Sequence, residues 1–130
     1  MGGRALVDST FIIGLLRQGL DPLEELTAYT DDLELLTCGI VQVEVLRGLR
    51  SEKASQRMSD FPGCMLYVPT LNSSWTRAAT LAHQLDRQGH SMQVTDLVIA
   101  TCAIDSDALV LTHDPDFARV PGLRVAQALT

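Results

Sequence analysis

Five carboxylates in this chain stand where chemistry, more than solubility, would use them: Asp8, Glu44, Asp96, Asp114 and Asp116. Asp8 closes the short apolar run Arg4–Asp8, and Asp114 and Asp116 follow the apolar run Ala108–Thr112. Glu44 is set in a stretch that is apolar on nearly every side (Ile40, Val41, Val43, Val45, Leu46) and shares a helical face with Val41, Val45 and Gly48. Asp96 opens a stretch whose same face carries Ile99, Ala100 and Ala103. An ionised carboxylate in such surroundings is costly unless it is paired or bound to a cation, and Lys53 is the only lysine in the chain. Brought together, these carboxylates would repel one another and raise one another's pKa. A hard divalent cation with oxygen ligands offsets that repulsion directly. Mg²⁺ or Mn²⁺ held with open coordination positions suits attack of water on a phosphodiester, because it lowers the pKa of the water and stabilises charge on the leaving oxygen.

Each position also has a plainer explanation. Asp114 can cap a helix that begins at Pro115, which does not prevent it from binding a cation. Asp96 can be a first-turn acid favoured by the helix dipole, and Glu44 can pair with Arg47 or Arg77. His113 reads as structural or solvent-exposed before it reads as a ligand. Arg47, Arg50, Lys53 and Arg57 recur at roughly helical spacing and could steer phosphates toward Glu44; a solvated face or a partner surface fits equally well. Trp75 reads as core or interface before a base-stacking platform. Asp31, Asp32 and Glu34 read as solvated surface, since they precede a strand.

The elements that must position the acids alternate strand with helix. Arg4–Asp8 is a first strand, followed by a helix from Thr10 to about Gln18 with Gly19 as its stop. Asp21 as N-cap and Pro22 at the first helical position start a second helix to Tyr29. Leu33–Cys38 reads as strand, Ile40–Leu49 and Ser51–Ser59 as helices, and Met65–Val68 as a short strand. Ser74–Gln88 is a helix on the spacing of Trp75, Ala78, Ala82 and Leu85, closed by Gly89. Gln93–Ile104 is helical, Ala108–Thr112 a fourth strand, Asp114 to Ala118 a short helical turn and Leu123–Ala126 a last strand. This alternation implies an α/β sandwich with a mainly parallel sheet and no internal repeat or dividing linker. In such sheets sites form beyond the carboxyl ends of the strands, so Asp8, Asp114 and Asp116 are expected at one sheet edge.

Bulk properties bound the reading. At 130 residues, 46% of them apolar and 20% charged, the chain is one ordinary domain able to bury a core. Ten basic against sixteen acidic residues give a net charge of −6, which excludes a general nucleic-acid coat. A cation in the acid cluster would invert the local field, so that a substrate phosphate meets the metal and not the acids. Cys38, Cys64 and Cys102 are too scattered for a zinc site or a disulfide framework and read as free core thiols of a reducing compartment. Only three apolar residues separate Arg4 from Asp8, which gives no signal peptide, and Phe11–Leu16 is too short to span a bilayer. The expectation is a soluble, cytoplasmic protein.

With these pieces in order the chain resembles a PIN domain, particularly the VapC-type toxins, over nearly its whole length. The resemblance rests on Leu6-Val7-Asp8-Ser9-Thr10, on Val41 to Gly48 around Glu44, on Thr95-Asp96-Leu97-Val98-Ile99-Ala100, on Leu111-Thr112-His113-Asp114-Pro115-Asp116-Phe117 and on Pro121-Gly122-Leu123. It implies a PIN-like three-layer α/β/α fold spanning residues 1–130. It also implies a Mg²⁺- or Mn²⁺-dependent endoribonuclease acting on structured tRNA or rRNA loops. The enzyme would be a homodimeric toxin restrained by a small VapB-like antitoxin, seated on the apolar faces of the early helices. Carried over by position, Asp8, Glu44 and Asp96 are metal-binding acids. Asp114 is the closer match for the fourth, with Asp116 acting through water, and Ser9, Thr10 and Thr112 orient the carboxylates.

Other phosphate chemistries fit less well. A haloacid-dehalogenase-type phosphatase carries a second Asp two residues after the first, where this chain has Thr10, and needs a catalytic lysine for which Lys53 is poorly placed. A receiver-like signalling module needs an acidic pair at the first strand and a late lysine, and neither is present. A non-toxin phosphohydrolase or a catalytically silent PIN scaffold is the remaining alternative; against the scaffold, all four acid positions are filled.

Overall fold

The computed structural model describes residues 3–29, 31–59 and 65–128. Five strands form one sheet: β1 (Gly3–Val7), β2 (Leu33–Thr37), β3 (Leu66–Tyr67), β4 (Leu109–Leu111) and β5 (Val125–Ala126), in the order β3-β2-β1-β4-β5. Every neighbouring pair is parallel, so the sheet is wholly and not just mainly parallel. Parallel strands are buried on both faces and read as continuous apolar runs. Accordingly Ala5, Leu6, Val7, Leu35, Leu36, Val110 and Leu111 are all buried.

Among the described residues six α-helices make the crossovers: α1 (Ser9–Arg17), α2 (Pro22–Thr27), α3 (Gly39–Gly48), α4 (Glu52–Ser59), α5 (Asn72–Arg87) and α6 (Val94–Asp105). A 3₁₀ turn spans Pro115–Arg119. The chain steps from β1 out to β2 and β3, then returns past β1 to β4 and β5. Right-handed crossovers therefore put the helices that follow β1 and β2 on one face and those between β3 and β4 on the other. Within each layer α1 packs against α3 and α5 against α6, and α3 also meets α6 of the other layer. The direction of winding reverses between β1 and β4, and at such a point a crevice opens beyond the strand ends.

Element boundaries fall within a few residues of the sequence reading. Gly19 and Gly89, read as helix stops, have φ of 76° and 80°, a backbone state that glycine adopts without steric cost. Asp21 caps α2 by accepting from the Leu23 amide at 3.0 Å. Helix α5 starts two residues before the expected Ser74, whose hydroxyl instead accepts from the Leu71 amide at 3.1 Å. The buried stripe of α5 is Ser74, Ala78, Leu81 and Leu85. Trp75 lies one step off that stripe and is 49% exposed, which removes the core half of its core-or-interface reading.

Helix α3 departs further from expectation. Val41 and Val45 are buried, but Val43 is 65% exposed and Leu46 and Gly48 are also exposed. It is a surface helix with one inward side, so Glu44 sits half-buried at the edge of that side and not in a wholly apolar helix. Cys38 and Cys102 are free and buried, as read. Cys64 lies outside the described residues. So does the side chain of Arg57, while Arg47, Arg50 and Lys53 are exposed. No helix among the described residues is long and apolar enough to cross a membrane.

Candidate functional site

Asp8 is the residue between β1 and α1, and it is 1% exposed. As the N-cap of α1 it would ordinarily accept a hydrogen bond from the first turn, yet its side chain makes no capping bond. Its Oδ2 instead accepts from the Thr10 hydroxyl at 2.7 Å and the Thr112 hydroxyl at 2.8 Å. Each hydroxyl has one proton and donates it to Asp8, leaving its lone pairs for backbone amides. Thr10 Oγ1 accepts from the His113 amide at 3.1 Å, and Thr112 Oγ1 from the Asp114 amide at 2.9 Å. The end of β1 is thereby tied to the segment after β4, a link reinforced by the Asp8 amide donating to the Leu111 carbonyl at 2.9 Å.

The other carboxylate oxygen of Asp8, Oδ1, is buried and has no hydrogen-bond partner. A buried, unpaired carboxylate oxygen is expensive. The anion is held in place on one side and left unsatisfied on the other.

The remaining acids gather around it from three elements. Glu44, on α3, accepts from the Ser9 hydroxyl at 3.1 Å. Burial raises its pKa, the Ser9 hydrogen bond partly offsets that, and the charge of Asp8 raises it again. The alternative pairing with Arg77 is ruled out by that arginine's ion pair with Asp105. Asp96 sits in the first turn of α6, whose residues Leu97 to Ala103 are all buried. Its carboxyl is pushed up to about 7, first by burial and then by repulsion from Asp114, Asp8, Glu44 and Asp116. The five acids singled out in the sequence therefore share one electrostatic field.

Asp114 performs the capping role as well: its Oδ1 accepts from the Asp116 amide at 2.9 Å at the start of the 3₁₀ turn. Asp116 lies farther out and has Arg119 3.8 Å away. Among the described residues no three His, Cys, Asp or Glu side chains close tightly enough to hold one ion as they stand. The donor types are nonetheless those of a hard cation, and the orphaned Oδ1 of Asp8 is an unsatisfied anionic ligand among them. In donor chemistry the residues fit a divalent cation.

The sequence reading missed one feature of this edge. His113 stacks on Phe11 with ring centroids 5.2 Å apart and planes 24° from parallel. Phe11 had been only part of an apolar helix, and no local pattern links positions so far apart.

The model of the PIN domain family matches residues 5–123. Ribonuclease VapC4 of Mycobacterium tuberculosis is 26% identical over 127 residues, which is 94% of this chain and 95% of that protein. Among solved structures, VapBC2 from Rickettsia felis bound to a promoter DNA fragment aligns with a TM-score of 0.80 at 19% identity, over 95% of this chain and 97% of the matched one. VapC20 of Mycobacterium tuberculosis, a sarcin-ricin loop cleaving toxin, aligns with a TM-score of 0.68 at 13% identity, over 92% of this chain and 98% of its own. These likenesses agree with the three-layer α/β/α arrangement around a parallel sheet. A family match across almost the whole chain, on a fold that gathers the acids at one sheet edge, leads to one conclusion: the chain belongs to the PIN domain family.

Proposed function

We propose that this chain is a Mg²⁺- or Mn²⁺-dependent endoribonuclease and the toxin of a toxin–antitoxin pair, carried by one domain over residues 1–130. The observation that carries the reading is the buried, unpartnered Oδ1 of Asp8, set beside Asp96, whose carboxyl burial and then the neighbouring carboxylates push up to about 7. Asp8, Glu44, Asp96 and Asp114 would hold the cation, with Asp116 reaching it through water. When bound, the cation supplies a more acidic water for attack and positive charge for the leaving oxygen. Thr10 and Thr112 fix Asp8 in a single orientation, and Ser9 does the same for Glu44. Such outer hydrogen bonds set the direction and basicity of the ligands. The buried wall of α6, Leu97 to Ala103, excludes water behind Asp96.

RNA as the substrate is supported by the names of the relatives, Ribonuclease VapC4 and the sarcin-ricin loop cleaving VapC20. Structured RNA loops of tRNA or rRNA present the splayed bases that a protein can read. A VapB-like antitoxin as partner is supported by the solved VapBC complexes. A cavity of about 310 Å³ lined by Leu16, Leu20, Pro22 and Met58, between α1, α2 and α4, offers that partner an apolar seat. A homodimer and a cytoplasmic location complete the proposal.

The test is cleavage of total bacterial RNA by the purified, antitoxin-free chain, with and without Mg²⁺ or Mn²⁺, beside Asp96→Asn. Discrete, metal-dependent cuts that vanish in the variant are expected. Intact RNA under every metal condition, from folded protein, would leave a PIN-fold binding module.

A further inference from the structure

The acid cluster leaves a physical problem on the page. An RNA strand must lie against a region of concentrated negative charge on a chain with net charge −6, and Arg119, three residues after Asp116, already faces it at 3.8 Å. A cation among the acids and the exposed Arg47 answer only to phosphates, so a hold on the base beside the cut has to come from something other than charge. Base stacking on an aromatic face is such a hold, and it tolerates any sequence because every base has a π-face.

The structure holds one aromatic pair of that kind beside the acids. His113 directly precedes Asp114, and its amide is tied to the Thr10 hydroxyl that orients Asp8. One face of its ring rests on Phe11. His113 is nevertheless exposed, so contact with Phe11 leaves part of the residue to solvent. Among the described residues neither ring nitrogen has a hydrogen-bond partner; the imidazole is placed by stacking alone.

Helix α1 also makes room for this ring. Gly14 lies mid-helix, where glycine is less favourable than alanine. A Cβ there would come within 3.3 Å of His113 Cδ2 and 3.5 Å of Nε2. A locally unfavourable residue thus sits where a side chain would press on the imidazole.

We propose that His113, seated on Phe11 and cleared by Gly14, is a stacking surface for a base of the RNA strand beside the cleaved phosphate. The inference deepens the ribonuclease reading and rests on it for the position of that phosphate. His113 touches substrate; Phe11 and Gly14 act through it as positioning residues.

The experiment is a titration of the full chain into a fluorescein-labelled, random-sequence single-stranded RNA of about ten nucleotides, followed by anisotropy. Ca²⁺ replaces Mg²⁺, and the probe is checked intact after each run. His113→Ala binds about tenfold more weakly, within the range that loss of one stacked base produces. His113→Phe, which keeps a stackable ring, restores the binding. Gly14→Ala weakens it while leaving the thermal midpoint equal or higher. Mn²⁺ binding, by calorimetry without RNA, is unchanged in all three. Equal RNA binding by His113→Ala overturns the inference, as does failure of His113→Phe to restore it. Loss of Mn²⁺ binding in His113→Ala also overturns it, since the ring would then belong to the cation site. A chain that cuts no RNA but still loses binding in His113→Ala and regains it in His113→Phe would sink the ribonuclease reading and leave the stacking surface standing.

Discussion

Asp96 carries the sharpest residue-scale consequence of the site. Its carboxyl is raised from an ordinary 3.8 to about 7 by burial and by the four neighbouring acids. The folded chain therefore keeps a proton that the unfolded chain has already released. Stability linked to this group is fully present below pH 3.8 and is lost as pH rises toward about 7. For metal-free protein, differential scanning fluorimetry should show Asp96→Asn more stable than wild type at pH 8 and the two alike at low pH; a wild-type advantage at pH 8 would contradict it. Since a cation requires the ionised form, Mn²⁺ affinity and cleavage should both rise as pH climbs through about 7. Thr112 makes a second case. Thr112→Val removes a donor from Asp8 Oδ2 and leaves the Asp114 amide without its acceptor. We expect a loss of about 1–3 kcal/mol of stability and about 10–100-fold of activity, read from urea melts and initial rates. The sequence placed Thr112, Thr10 and Ser9 near the carboxylates, but only coordinates could say that Ser9 serves Glu44 while both threonines serve Asp8.

At the scale of elements, four segments remote in sequence deliver the acids: the β1–α1 junction, α3, α6 and the 3₁₀ turn after β4. Strand runs and helix stops were legible because parallel strands read as apolar blocks and glycine marks a left-handed end, as at Gly19 and Gly89. Less legible was which side of a helix faces in. Helix α3 is apolar enough to pass for buried, yet Val43 and Leu46 are exposed, because it packs along one side only. Trp75 misled for the related reason that one step of 100° moves a residue off the stripe. Helix α6 is the opposite case, buried continuously from Leu97 to Ala103. Small residues let it lie close, so Ala100→Leu should overpack it. A loss of about 1–3 kcal/mol is expected in denaturant melts, with cleavage falling by more than the unfolded fraction explains because Asp96 moves with the helix. Unchanged stability would mean that α6 packs more loosely than it is drawn.

For the whole molecule, the winding reversal between β1 and β4 explains why residues more than a hundred positions apart share one hydrogen-bond chain, from Asp8 through Thr10 and Thr112 to His113 and Asp114. The strand-end rule anticipated the shared edge from sequence alone. What it could not supply was the stacking of His113 on Phe11, since that contact depends on how α1 leans over the turn after β4. The negative net charge finds its place at this scale too: a cation among the acids would reverse the field that RNA meets. Chelation should therefore weaken RNA binding at this edge and abolish cleavage, which filter binding and gel assays in EDTA would read. The central claim is that the acids beyond β1 and β4 form one cation site, and calorimetric titration of Mn²⁺ into wild type, Asp8→Asn and Asp96→Asn at pH 8 tests it most directly. We expect saturable binding by wild type and a loss of at least about tenfold in each variant. No binding by folded wild type, or equal binding by all three, would contradict it.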